Sequence, residues 1–147
     1  MELTFRKFEE SDLDFLKNWF EDVELKKRLG GMLSLDEWYF RVIKIPNQKH
    51  IMFLNDGRPV GKVCIEEYEN KTASISLFVN PQLRNQGFGS NILTYILSHP
   101  IVGHLESITA YIEPDNPASY FCFKKVGFVD QGVINEDGMR LLSYKLK

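Results

Sequence analysis

The sequence predicts a mixed α/β fold, a single domain over residues 1–147 built on a sheet of about seven strands with four helices. Three observations carry this. Apolar residues alternate with polar ones in several short runs and recur at helical spacing in four others. Their order is strand, two helices, three strands, helix, strand, helix, two strands. Asp56-Gly57 stands between two apolar runs, which marks a hairpin. A strand ending at Val79 is joined through a helix to a strand starting at Ser107, so these two run parallel.

The elements follow in order. Leu3 and Phe5 alternate with Thr4 and Arg6 as a first strand. Ser11 and Asp14 stand at capping-box spacing beside Leu13, Leu16 and Phe20, flanked by Phe15 and Trp19, as a first helix. Residues 26–32 hold Gly30-Gly31 and read as a flexible connection. Ser34 and Glu37 form a capping box around Leu35, before Trp38, Tyr39, Val42 and Ile43; this second helix ends at Pro46. Residues 50–54 and 60–68 are the arms of the hairpin, and a turn at Glu69-Asn70-Lys71 leads into the third strand of a meander. The next helix, 87–99, places Phe88, Ile92, Leu93, Ile96 and Leu97 on one face. Ile108, Ala110 and Ile112 alternate as a fifth strand. Asn116-Pro117 starts a short helix with Asn as N-cap and Pro in the first helical position, and Gly127 stops it. Residues 128–134 and 139–146 close the sheet around the turn Asn135-Glu136-Asp137-Gly138.

Composition narrows the function. The chain is 44% hydrophobic and 13% aromatic, enough for one sizeable core. A formal charge of −2 argues against non-specific nucleic-acid binding, which needs a basic face. No apolar run approaches the ~20 residues of a membrane span. Residues 1–8 are strand-like and charged, unlike a secretory leader, so a cytoplasmic protein that binds neither membrane nor nucleic acid is expected. Cys64 and Cys122 are far apart and read as free thiols. His50, His99 and His104 show no ligand spacing, so no metal is expected.

Arg84-Asn85-Gln86-Gly87-Phe88-Gly89 is the most informative run. It lies between a strand with a terminal Asn80-Pro81 and a helix. Glycines at the first turn let backbone N–H groups approach a ligand with no Cβ between. Those groups lack partners within the helix and carry the positive end of its dipole, so such a turn suits phosphate. The two glycines equally suit an ordinary strand-to-helix connection. A P-loop and a Gly-x-Gly-x-x-Gly fingerprint are both absent.

Arg-x-x-Gly-x-Gly in this context resembles the pyrophosphate loop of the GNAT N-acetyltransferases, and the order of elements matches that fold from end to end. A second run strengthens the resemblance. Asn116, Ser119, Gly127 and Phe128 match the family pattern Asn-x-x-Ala/Ser-x-x-x-Tyr-x-x-x-Gly-Phe. One position departs: the usual Tyr, the general acid of the family, is Phe123 here. Tyr120 lies three residues earlier, within about 60° of the same helix face, and reads either as a substitute acid or as a surface aromatic.

The resemblance implies acetyl transfer from acetyl-CoA to a primary amine of a small molecule or peptide, by direct attack in a ternary complex. It implies strands splayed apart between the fourth and the fifth. Arg84, Asn85, Gln86, Gly87, Phe88, Gly89 and Ser90 would cradle the pyrophosphate, and Leu77, Phe78 and Val79 would line the pantetheine arm. Asn116, Ser119 and Phe123 would lie toward the thiol end. The Val79 N–H is the family candidate for the oxyanion. An alkyl ammonium has a pKa of ~10.4, so its proton needs an acceptor. The fourth strand offers only Ser74 and Ser76; Glu113, Glu66 and Glu67 are the alternative carboxylates, and each reads first as a solvated surface group. Trp19, Trp38 and Tyr39, with Glu21, Asp22 and Glu24, fall on the acceptor side and read as core aromatics with a wet acidic face or as an amine site. A non-catalytic acetyl-CoA-binding sensor or partner module, favoured by Phe123, and a longer acyl donor are the alternatives; either a monomer or a homodimer fits.

Overall fold

The structure is a computed structural model and describes residues 2–28, 32 and 34–147. Its strands are β1 (Leu3–Lys7), β2 (Gln48–Asn55), β3 (Arg58–Tyr68), β4 (Thr72–Val79), β5 (Ser107–Ile112), β6 (Val129–Ile134) and β7 (Arg140–Lys145). Its helices are α1 (Leu13–Trp19), α2 (Val23–Lys26), α3 (Leu35–Val42), α4 (Phe88–Leu97) and α5 (Pro117–Lys125). The strands form one seven-stranded sheet in the order β1-β2-β3-β4-β5-β7-β6. β4 and β5 are parallel, as the connection through α4 requires, whereas β5 with β7 and β6 with β7 are antiparallel.

The chain divides into two compact units. One holds residues 1–64 and 77–88, the other 65–76 and 89–147, so β3 and β4 contribute to both. In the first unit, β1 pairs with β2 from Leu3↔Asn55 to Lys7↔Ile51. Phe8, Leu13, Leu16, Trp19, Phe20, Leu35, Trp38, Val42 and Met52 form its buried cluster. The Arg6 guanidinium grips the buried Asp12 carboxylate at 2.7 and 2.9 Å, and this ties β1 to the turn that enters α1. In the second unit, β7 lies between β5 and β6, and a register shift between Asp130 and Ile134 interrupts the β6 ladder.

The structure corrects three local expectations. The box before α1 is two residues earlier: Asp12 Oδ2 accepts from the Glu9 N–H at 2.8 Å, and Ser11 is part of a 3-10 turn, Glu10–Asp12. Ser34 precedes α3 but makes no side-chain cap bond, because its φ of +53° is not the extended geometry an N-cap needs. Among the described residues the helices number five rather than four, through α2, which Asp22 caps by accepting from the Leu25 N–H at 3.1 Å. The expected Gly30-Gly31 connection lies outside the described residues.

The end of α5 explains Phe123 structurally. Gly127, at φ +112°, donates its N–H to Lys124 O at 3.0 Å, and Phe128 donates to Phe123 O at 3.1 Å. This is the paired bonding of a Schellman ending. Its hydrophobic contact is the Phe123–Phe128 pair, edge to face with centroids 4.9 Å apart. A Cβ on Gly127 would stand 3.0 Å from Tyr144 Cε2. Gly127→Ala is therefore expected to cost at least ~1–2 kcal/mol from the left-handed backbone alone, read as a lower urea midpoint at unchanged slope.

Candidate functional site

The glycine-bearing turn is held at both ends and open between. Asn80 is buried. Its N–H donates to Val60 O at 2.9 Å, and its Oδ1 accepts from the Gln82 N–H at 3.0 Å. A 3-10 turn, Pro81–Leu83, follows, and Leu83 is buried. Arg84, Asn85, Gln86 and Gly87 are exposed, and buried Phe88 re-anchors the chain at the start of α4. Asn85 at φ +62° and Gly87 at φ +83° occupy the left-handed region. Thus the backbone turns twice over an exposed stretch before a ten-residue helix. That helix has no acidic residue in its first turn, so its positive end is not neutralised there. Gly89 and Ser90 follow in α4, both half-buried.

The Arg84 guanidinium meets Asp22 in a fork. NH1 donates to Oδ1 at 3.0 Å and NH2 to Oδ2 at 2.5 Å. The pair pulls the Asp22 carboxyl below its ordinary range and raises Arg84 further. From the sequence Arg84 is aimed at a ligand, and Asp22 belongs to a wet acidic face or an amine site; the structure joins the two. Nothing in the sequence joins two residues separated by 62 positions.

β4 pairs with β5 over Thr72–Ser74 against Ser107–Thr109, and both strands run on beyond that ladder. Leu77, Phe78 and Val79 lie in this extension, half-buried, and Phe78 packs edge to face on Phe20 at 5.2 Å.

In the second unit, Asn116 is the N-cap its sequence context predicts, with Oδ1 accepting from the Ser119 N–H at 3.2 Å and Pro117 opening α5. Phe123 is 3% exposed and packed as described above. Tyr120 donates its hydroxyl to Asp130 Oδ2 at 2.8 Å, and Arg140 donates to the same oxygen at 3.2 Å. The bond to Asp130 raises the phenol's pKa, so the hydroxyl is held protonated and directed at a carboxylate. Among the carboxylates, Glu67 bonds His104, and Glu113 is half-buried just ahead of α5, its carbonyl accepting from the Asn116 N–H at 3.1 Å.

Of the acceptor-side aromatics, Trp19 and Trp38 are buried core, and Tyr39 is partly buried against the same cluster, its ring tilted on Phe8. The structure adds a cluster that the sequence did not suggest. Lys62, only 2% exposed, places Nζ 2.7 Å from His50 Nδ1 and 4.8 Å from the Trp38 ring centroid. His50 Nε2 meets Gln48 Oε1 at 2.9 Å. An ammonium only donates, so Nδ1 accepts and Nε2 carries the proton. Burial pushes Lys62 down to about 8, and burial together with Lys62 pushes His50 down to about 3.

The chain is similar to known proteins along most of its length. The family model described as Acetyltransferase (GNAT) family matches residues 13–128. YfmK of Bacillus subtilis (strain 168), described as an uncharacterized N-acetyltransferase, is 38% identical over 139 residues, 94% of this chain and 93% of that one. Spermidine N(1)-acetyltransferase of Vibrio cholerae is 23% identical across 92% of this chain and 84% of its own. Among solved structures, the aminoglycoside acetyltransferase AAC(6')-Ib in complex with coenzyme A superposes with a TM-score of 0.83 at 19% identity, covering 98% of this chain and 95% of that one. The match of family model, relative and fold is thus consistent along the chain: the protein belongs to the GNAT acetyltransferase family, and acetyl-CoA is its co-substrate.

Proposed function

We propose that the protein, as one GNAT domain acting in the cytoplasm, acetylates a primary amine of a small molecule or peptide, with residues 84–90 holding the coenzyme pyrophosphate. The observation that carries this is the exposed turn at Asn85 and Gly87, both left-handed, leading into α4. Its backbone N–H groups and the adjoining helix end supply donors and partial positive charge for a dianionic bridge. Gly89 and Ser90 extend the cradle into α4.

The remaining roles follow the chemistry. Leu77, Phe78 and Val79 offer strand backbone to the amide groups of the pantetheine arm, as an added strand would. The Val79 N–H serves the tetrahedral oxyanion. Asn116 has its Oδ1 engaged in the cap, which leaves Nδ2 for the coenzyme near the thiol, with Ser119 on the same turn. Phe123 supplies packing and no proton. The coenzyme thiol has a pKa near ~8.5 and leaves as thiolate. The amine proton passes to solvent or to Glu113. Tyr120 serves as a proton donor only if acetyl-CoA or the acceptor draws its hydroxyl away from Asp130.

Coenzyme A release measured over a panel of amines (spermidine, kanamycin, a lysine peptide) identifies the acceptor class. Asn116→Ala then separates cap from contact. It is expected to lower stability by ~0.5–2 kcal/mol and to raise the KM for acetyl-CoA. A stability loss with unchanged KM and kcat makes Asn116 a cap alone. Acetyl-CoA binding without release on any amine would favour the non-catalytic binding module instead.

A further inference from the structure

The Arg84–Asp22 pair has a strong asymmetry. Arg84 sits on the exposed turn with a long side chain that is 39% exposed. Asp22 is fixed, since Oδ2 also accepts from the Leu25 N–H at 3.1 Å and caps α2. If the pair opens, the guanidinium swings and the carboxylate stays. The fork of a guanidinium matches a carboxylate and a phosphate equally well. A pyrophosphate bound at residues 84–90 brings more negative charge than one carboxylate. Arg84 is also the only cation bonded to Asp22 among the described residues, and Glu24 of the same helix is already paired with Lys27 and Arg28.

We propose that coenzyme and Asp22 compete for Arg84: binding of the pyrophosphate draws the guanidinium away and uncovers the Asp22 carboxylate, which then takes the ammonium of a cationic acceptor. The inference rests on the reading that residues 84–90 hold the pyrophosphate. It makes coenzyme binding favour amine binding, and by linkage the amine favours coenzyme to the same extent. While Arg84 covers it, Asp22 is a poor site for a cation, so the amine gains its anionic contact only after the donor is in place. Amine recognition is then conditional on a loaded donor site, with no closing loop required.

Asp22→Asn tests this with little effect on the fold, since Asn caps a helix as well as Asp. Partly exposed pairs contribute ~0.2–1 kcal/mol, so removing the competitor is expected to tighten coenzyme A by about 1.4- to 5-fold in calorimetric titration. In wild type, saturating coenzyme A is expected to tighten spermidine, used as a probe cation, and Asp22→Asn to abolish that coupling. Unchanged or weaker coenzyme A binding in Asp22→Asn overturns the competition and makes the pair a brace for α2. Tighter coenzyme A with intact spermidine coupling overturns the role of Asp22 toward the amine. Arg84→Ala separates the two readings. If it weakens coenzyme A while Asp22→Asn has no effect, the pyrophosphate reading stands and the competition falls. If it binds coenzyme A as wild type does, Arg84 does not serve the pyrophosphate and the competition falls with that role.

Discussion

Gly87→Val is expected to abolish acetyl-CoA binding in a protein that still folds. Gly87 has φ +83° on an exposed turn, so the substitution meets two separate obstacles. A side chain in the left-handed region costs ~1–2 kcal/mol, and a β-branched one is especially ill suited to it. The turn relieves that strain by changing its own backbone, because anchoring is provided on either side by buried Leu83 and Phe88. Relief therefore comes at the expense of the cradle, whose N–H directions depend on the left-handed geometry. Even an unrelaxed backbone would set a branched side chain where the pyrophosphate must approach. At a hundred times its Kd, a ligand stabilises the native state by ~2.7 kcal/mol. Wild type is expected to show that gain with acetyl-CoA in thermal or urea unfolding, and Gly87→Val none. An equal gain in both proteins would place the pyrophosphate elsewhere on the chain.

The parts of this protein that were legible in the sequence are those set by local rules. Alternation at period two located the strands, and Asp56-Gly57, at φ +51° and +81°, is the left-handed pair a two-residue hairpin needs. Asn116-Pro117 and Gly127 fixed both ends of α5, because a cap and a left-handed ending each depend on a few adjacent residues. Ser34 shows the limit of the same rule: the right residue at the right spacing is not a cap when its backbone is turned to φ +53°. α2 escaped notice because four residues give no period, and its cap, Asp22, sits in an acidic run without a following apolar face. At the site, the loop motif was legible but its charge partner was not, since the Arg84–Asp22 fork arises from tertiary placement. Lys62 was least readable of all. A lysine in a strand is ordinarily at the surface, and only the packing of Phe8, Trp38 and His50 around it reveals a buried ammonium.

That ammonium governs the second large expectation, a stability that climbs in mild alkali and depends on Lys62. In the unfolded chain the lysine keeps a pKa near 10.5, and in the folded protein burial lowers it to about 8. Below pH 8 both states hold the proton, and folding carries the full cost of burying the charge. Between pH 8 and 10.5 the unfolded state binds more protons than the folded state, so stability rises with pH across that window. At ~1.36 kcal/mol per pKa unit, the total rise is about 3 kcal/mol. Other groups titrate in alkali too, tyrosines above all, so the measurement is a comparison. Lys62→Met keeps length and apolar bulk while removing the charge, and urea unfolding of both proteins from pH 7 to 10.5 gives the difference. Wild type is expected to gain about 3 kcal/mol relative to Lys62→Met over that range. Parallel curves would mean that the ammonium is not desolvated in the native state. His50 acts at the other end of the scale. Its folded pKa of about 3, against 6.5 for a free imidazole, means that the unfolded state binds its proton first as the solution is acidified. The stability held in its neutral ring is therefore fully present above pH 6.5 and is lost as pH falls toward 3. Lys62→Met is expected to soften this acid limb, because the neighbouring ammonium is the smaller of the two causes that keep His50 neutral, burial being the larger.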